Sequence, residues 1–322
     1  MNSILTKSSK ISVFFACVLL LVGSASAQVS LRKAADFDND NKADFSVFRP
    51  ANNVWYIKNS GGTFITQQFG SSNTDYQTPG DYDGDGKSDI AVWRDTNGAW
   101  YRINSSNNTF SGIQFGTTGD EPAARDYDGD GKTDQAVIRR TGGAMIWYVL
   151  RSTTGTLFGG QFGIETDYSA PGDYDGDGKF DLAVQRPGAT PTSQATFFIL
   201  QSSNNTLSAI AWGNSNDIVV PGDYDGDNKT DVAVVREGAT TNSPLNWFVR
   251  RSTNGTLLAE SFGLTGSDLN VQADYDGDGK TDVAVWRDAI GTYYVLQSSN
   301  RVLLASQWGA ANDFPIASYD TH

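Results

Sequence analysis

Asp81-Tyr82-Asp83-Gly84-Asp85-Gly86-Lys87-Ser88-Asp89 places carboxylates at positions one, three, five and nine of a nine-residue stretch. Like charges packed this closely repel one another strongly unless a cation sits between them. The same pattern returns at residues 36–44, 126–134, 173–181, 223–231 and 274–282, at intervals of 45 to 51 residues. One motif therefore predicts both a bound cation and a repeat architecture.

In each copy, four side chains and the carbonyl of position seven can converge on one ion. The first loop offers Asp36, Asp38, Asp40, Asp44 and the Lys42 carbonyl; the second offers Asp81, Asp83, Asp85, Asp89 and that of Lys87. The third has Asp126, Asp128, Asp130, Asp134 and Lys132, and the fourth Asp173, Asp175, Asp177, Asp181 and Lys179. The fifth has Asp223, Asp225, Asp227, Asp231 and Lys229, and the sixth Asp274, Asp276, Asp278, Asp282 and Lys280. Hard oxygen donors in that number, on a flexible loop, select Ca²⁺ over zinc, copper or Mg²⁺. About six calcium ions are expected. Position six needs a left-handed turn, which Gly86, Gly131, Gly178 and Gly279 adopt freely and Asn41 and Asn228 tolerate. The first five positions resemble an EF-hand, but Val92 stands where its terminal glutamate would be, and strand-like residues follow.

Every loop runs into a short β-type segment, at residues 45–48, 90–93, 135–138, 182–185, 232–235 and 283–286, ended by Arg49, Arg94, Arg139, Arg186, Arg236 or Arg287. An aromatic pair opens a second strand in each unit, such as Trp100-Tyr101 or Phe197-Phe198. A polar hairpin turn follows, then a third strand ending in Phe-Gly or Trp-Gly, as at Phe115-Gly116 and Trp212-Gly213. A fourth short segment, such as residues 76–80, leads into the next loop. Four strands per unit, six units and no helical periodicity predict an all-β propeller of four-stranded antiparallel blades, six in number, with seven the lesser alternative. A linear solenoid would need capping units that this chain lacks. Residues 312–320 and residues 29–35 both qualify as the strand that closes the ring, and the sequence does not choose between them.

Units of the type Asp-Tyr-Asp-Gly-Asp-Gly-Lys-Thr-Asp-x-Ala-Val, separated by Phe-Gly, resemble the FG-GAP/VCBS repeats of integrin α-subunit propellers and of many secreted bacterial proteins. The resemblance runs from the first loop to the last. It implies a propeller with calcium loops on one face and, in the integrin relatives, ligand recognition on the other. The uniform, cysteine-poor units look more like the secreted bacterial type.

Residues 1–27 read as a secretory signal peptide: Lys7 and Lys10, an apolar run at 11–22, and Ala25-Ser26-Ala27 as cleavage site. Residues 28–322 then form one propeller domain, exported to the extracellular space, cell surface or periplasm and not an integral membrane protein once the leader is cut. Cys17, the one cysteine, leaves with the leader, so no disulfide is expected. The chain holds 24 basic and 37 acidic residues, and 24 of the acids sit in the six loops. Without the two leader lysines the balance is −15, which six Ca²⁺ would bring to −3. Nucleic acid is a poor partner for so acidic a surface.

Length variation gives a clue to the binding face. From strand-ending arginine to aromatic pair the offsets are 6, 6, 8, 11, 11 and 6 residues, whereas the next interval is nearly constant. The long segments, 187–196 and 237–246, lie in adjacent units on the face opposite the acidic loops. Arg186, Gln194, Arg236, Asn242 and Asn246 are the candidate ligand-binding residues there. Arg186 and Arg236 have a second reading, shared with the other four arginines: stacking on an aromatic ring and pairing with a once-per-unit acid such as Asp75, Asp120, Asp167, Asp217, Asp268 or Asp313. No catalytic residue is assigned. His322 is the one histidine, so triads and histidine-ligated zinc are not expected, while paired-carboxylate chemistry stays open. The expected function is a calcium-stabilised binding or adhesion module for an extracellular protein or glycan. The alternative is a polysaccharide lyase or hydrolase on the same scaffold.

Overall fold

The computed structural model describes residues 35–316. The expected leader at 1–27 with Cys17, the segment 28–34, and residues 317–322 with His322 lie outside the described residues. Within them the chain forms six four-stranded antiparallel sheets arranged as the blades of a propeller. The second blade sets the pattern: Asp75–Gln77 innermost, then Ile90–Arg94, Ala99–Ile103 and Phe110–Gln114 outward. Burial follows from this order. The second strand of a blade is walled in by neighbours on both faces, so four consecutive residues of Ile90–Arg94 are buried, as are those of Leu182–Arg186 and Val232–Arg236. The outer strand has lost one neighbour, and its residues are mostly exposed.

Hydrophobic clusters lie between blades rather than within them. Met145, Trp147 and Val149 of the third blade pack on Leu182 and Val184 of the fourth. Trp286, Tyr293 and Val295 of the sixth blade pack on Phe45 and Val47 of the first, so the ring is sealed by the same kind of contact. The indoles of Trp55, Trp100, Trp147 and Trp247 also donate Nε1–H to the carbonyl of Phe69, Phe115, Phe162 and Phe262, at 2.8–3.1 Å. This explains the Phe-Gly signature, because the glycine that follows must turn left-handed directly against the next blade. Gly263 has φ 92°, and a Cβ there would come within 2.8 Å of Val285 Cγ1.

The structure settles the closure. Phe314–Pro315 pairs antiparallel with Phe45–Arg49, in register Phe48↔Phe314 and Val47↔Pro315. The C-terminal segment, not residues 29–35, is the inner strand of the first blade, and six blades complete the ring. The long segments divide between loop and hairpin. The third strands of blades four and five, counted outward, begin at Gln194 and Pro244, so the connecting loops are only residues 187–193 and 237–243. The rest of the added length extends a hairpin: Gln194 pairs with Asn214 across a bulge, and Pro244 with Leu264.

Gln185 departs from the apolar rule of the core. It is fully buried where other blades carry Phe48, Trp93, Ile138, Val235 and Trp286, and neither its Oε1 nor its Nε2 has a hydrogen-bond partner. An unsatisfied buried amide destabilises, whereas a thioether of similar volume does not. Gln185→Met is expected to stabilise the fold by about 1 kcal/mol in urea unfolding; an equal or lower midpoint would count against this account.

Candidate metal centres and the opposite face

The acidic loops sit where the innermost strand passes to the second, and their carboxylates hold the turn open from within. Asp81 Oδ1 accepts from Gly84 N at 2.6 Å and its Oδ2 from Gly86 N at 2.9 Å. Asp126 does the same with Gly129 and Gly131, and Asp274 with Gly277 and Gly279. Position six is left-handed in every loop; Asn41 and Asn228, at φ 66° and 67°, share the conformation of the glycines. Position nine spans two turns. Asp89 Oδ2 accepts from Tyr82 N and its Oδ1 from Ser105 N, which ties the loop to the hairpin between the third and outer strands. Asp44, Asp134, Asp181, Asp231 and Asp282 make the same pair of bonds.

Ligand-competent oxygens converge. One atom from each of Asp36, Asp38 and Asp40 lies within 4.8 Å of the others, as do those of Asp81, Asp83 and Asp85. In the next three loops the convergent sets are Asp126, Asp128, Asp134; Asp173, Asp175, Asp181; and Asp223, Asp225, Asp231. The sixth loop has the same hydrogen-bond frame. The Oδ1 atoms of Asp38, Asp128 and Asp225 are buried without any hydrogen-bond partner, which is what a carboxylate reserved for a cation looks like. Burial drives the carboxyls upward: Asp89, Asp134, Asp173 and Asp223 to about 6, and Asp44, Asp126, Asp181, Asp231 and Asp282 to about 7. Asp36 and Asp38 are raised by the same desolvation. The residues fit a hard divalent cation, with oxygens the only side-chain donors.

Two parts of these centres escaped the sequence. The hairpin turn supplies hydroxyls as well as N–H groups: Ser105 Oγ donates to Asp85 at 2.9 Å and Ser106 Oγ to Asp83 at 2.6 Å, and Ser202 and Ser203 repeat this on Asp177 and Asp175. A Ser-Ser or Ser-Thr pair recurring in five of the six units, with Ser60-Gly61 in the first, was the available signal. The loops are also linked to one another. The N–H at position eight donates to the carbonyl of position one in the preceding loop, Ser88 to Asp36 and Thr133 to Asp81 at 2.7 Å. Ala43 N to Asp274 O, also 2.7 Å, completes the circle. The position-seven lysines lie along this same ring, with the stem of Lys132 against Gly84 and that of Lys229 against Gly176.

On the opposite face the six arginines form a second repeating set. Arg94 Nε and Nη2 reach both oxygens of Asp75 at 2.7 and 2.8 Å while its guanidinium lies 4.8 Å over the Tyr101 ring. Arg186 is paired with Asp167 and stacked on Phe198, and Arg236 with Asp217 on Phe248, like Arg49, Arg139 and Arg287. Each aspartate also accepts a backbone N–H of the crossover between blades, as the buried Asp217 does from Asn214. The forked pair thus pins the crossover to the end of the second strand. Of the other candidate ligand-binding residues, Gln194 donates to the Ala195 and Gly213 carbonyls, Asn246 is bonded to Ser261 and Pro244, and Asn242 is exposed at a loop tip.

A family model described as an FG-GAP-like repeat matches residues 81–137 and 126–184, each match running from one acidic loop into the next. Residues 81–184 carry FG-GAP-like repeats. The acidic loops outside the matched residues repeat the same motif and the same hydrogen bonds. No curated protein matches it in sequence. Among solved structures it is similar to TolB from Acinetobacter baumannii, with TM-score 0.57 and 16% identity over 84% of this chain; the match spans 65% of TolB. It is also similar to a mutant of AofleA from Arthrobotrys oligospora in which three arginines are replaced by alanine, with TM-score 0.51 and 10% identity over 90% of each chain. At such identities both establish the propeller fold alone. Among the described residues no helix is long and apolar enough to cross a membrane.

Proposed function

We propose that this is an exported propeller, stabilised by about six Ca²⁺, that binds an extracellular protein or glycan through the face opposite its acidic loops. The observation that carries the reading is the set of buried, unpartnered carboxylate oxygens at Asp38, Asp128 and Asp225, inside loops of oxygen donors only. Oxygen donors in this number and on a flexible turn suit calcium better than magnesium, and extracellular calcium fills even sites with dissociation constants of about 10⁻⁴ M. The leader-like composition of residues 1–27 supports export. Binding is favoured over catalysis because residues 28–316 hold no histidine or cysteine and the recurring acids serve the metal loops or the arginine pairs.

The recognition rim is assigned to residues 187–193 and 237–243. These two loops share one internal frame: Gly188 N donates to Ser215 Oγ and Gly238 N to Thr265 Oγ1, both at 2.8 Å, and Thr190 and Thr240 bond Ser193 and Ser243. Their tips expose Ala189, Pro191 and Thr192 in one and Ala239, Thr241 and Asn242 in the other. They are internally bonded and differ in length from the other blades, which suits a binding edge. Shortening both to the turn of the second blade should abolish binding on an array of glycans and matrix proteins, with metal content and melting unchanged. Undiminished binding would remove the rim from consideration.

A further inference from the structure

We propose that the cleft between the second and third blades, on the side of the acidic loops, binds a small anionic sugar unit bearing a carboxylate or a sulfate. The cleft has a volume of about 390 Å³ and is lined by Arg102, Lys132, Arg151 and Gln135 among others, with no acidic residue in its wall. In a chain of net charge −13 that is a local reversal of sign. Its size falls in the range of small-ligand sites, and low-dielectric walls focus the field of the three cations on whatever enters.

The cleft exists because the repeat is broken twice at one interface. Two residues after the first aromatic of the pair, five blades carry Ile57, Val149, Ile199, Val249 or Val295, all buried, and the second blade carries Arg102. The first residue of the second strand is Phe45, Ile90, Leu182, Val232 or Val283 elsewhere, and Gln135 in the third blade. Both departures face the same gap, where the other interfaces are filled by hydrocarbon.

Neither departure is accounted for by partners within the fold. Arg102 gives Nε to Asn104 Oδ1 at 2.9 Å and lies 5.3 Å over the Tyr82 ring, but its remaining donors bond nothing among the described residues. Arg151 rests 4.5 Å over the Phe158 ring, with its Nε buried and unpartnered. The Gln135 amide makes no hydrogen bond there, although the residue is almost fully buried. Two guanidinium groups, an ammonium group and an amide with unused donors suit an oxyanion carried on a hydroxylated ring. The six arginines of the opposite face cannot serve in this way, since each is already held by an aspartate.

Titration calorimetry on the calcium-loaded full chain tests this with glucuronate, glucose 6-sulfate, glucose and inorganic sulfate. Either anionic sugar is expected to bind saturably, one per chain, with glucose silent and inorganic sulfate weaker. Arg102→Ile restores the residue of two other blades, so it should leave melting unchanged or higher while weakening binding by about tenfold or more. Arg102→Lys should retain part of the affinity. The proposal is overturned if neither anionic sugar binds, if glucose or inorganic sulfate binds as tightly, or if Arg102→Ile binds like the parent. The cleft and the loops at 187–193 and 237–243 lie on opposite faces, so failure of one leaves the other measurable.

Discussion

Stripping calcium is expected to lower the melting temperature by on the order of 10 °C, in a single transition. A site with a dissociation constant of about 10⁻⁴ M in about millimolar calcium contributes roughly 1.4 kcal/mol by mass action, so six contribute roughly 8 kcal/mol. For a domain of this length that corresponds to a shift of roughly 10–15 °C. Two features of the loops push the effect upward. Each empty loop would hold buried like charges, and the loops form one hydrogen-bonded circle through contacts such as Thr281 N to Asp223 O at 2.6 Å and Ala43 N to Asp274 O. Loss of one ion therefore loosens the seat of the next, and unfolding should remain cooperative. Differential scanning calorimetry with and without a chelator, followed by add-back of calcium or magnesium, checks both parts. Equal melting with and without calcium would contradict the metal assignment, and full rescue by magnesium would contradict calcium.

The sequence showed most where it repeated most. Four strands per unit, the acidic loops and the arginine–aspartate pairs each appear six times, so local ambiguity in any one copy is averaged away. Closure appears once. It rests on a two-residue pairing, Phe48↔Phe314 and Val47↔Pro315, which no periodicity can distinguish from a rival segment at the other end of the chain. Loop length is hidden in the spacing for a related reason. Counting from Arg186 to Phe197 assumes that the strand opens at the aromatic pair, whereas Gln194 already pairs with Asn214 across a bulge. The serines at 105 and 106 read as ordinary turn residues, and only the fold brings them to Asp85 and Asp83. Arg102 and Gln135 each depart from the repeat in a single blade, so no periodicity marks them. In a repeat protein the shared positions describe the scaffold, and the functional question belongs to the exceptions.

The same buried carboxylates should make the metal-free and calcium-loaded proteins respond to pH in opposite directions. Asp44, Asp126, Asp181, Asp231 and Asp282 are held up at about 7, against 3.8 for the ordinary group, chiefly because burial penalises the charged form. A carboxyl whose pKa is higher in the fold than in the unfolded chain binds its proton more tightly when folded. Protonation then stabilises the fold, fully at pH values below the unfolded pKa, and that stability is lost as pH rises through the folded value. Metal-free protein should therefore melt higher near pH 5 than near pH 8, by on the order of 5 °C. With calcium the sign reverses, because protons compete with the cation for the same oxygens, and affinity falls as pH drops below about 7. The two melting curves should be far apart above pH 7 and draw together near pH 5. Parallel curves would mean that the protons and the metal act at different groups, and the loops would lose their place as the metal centres.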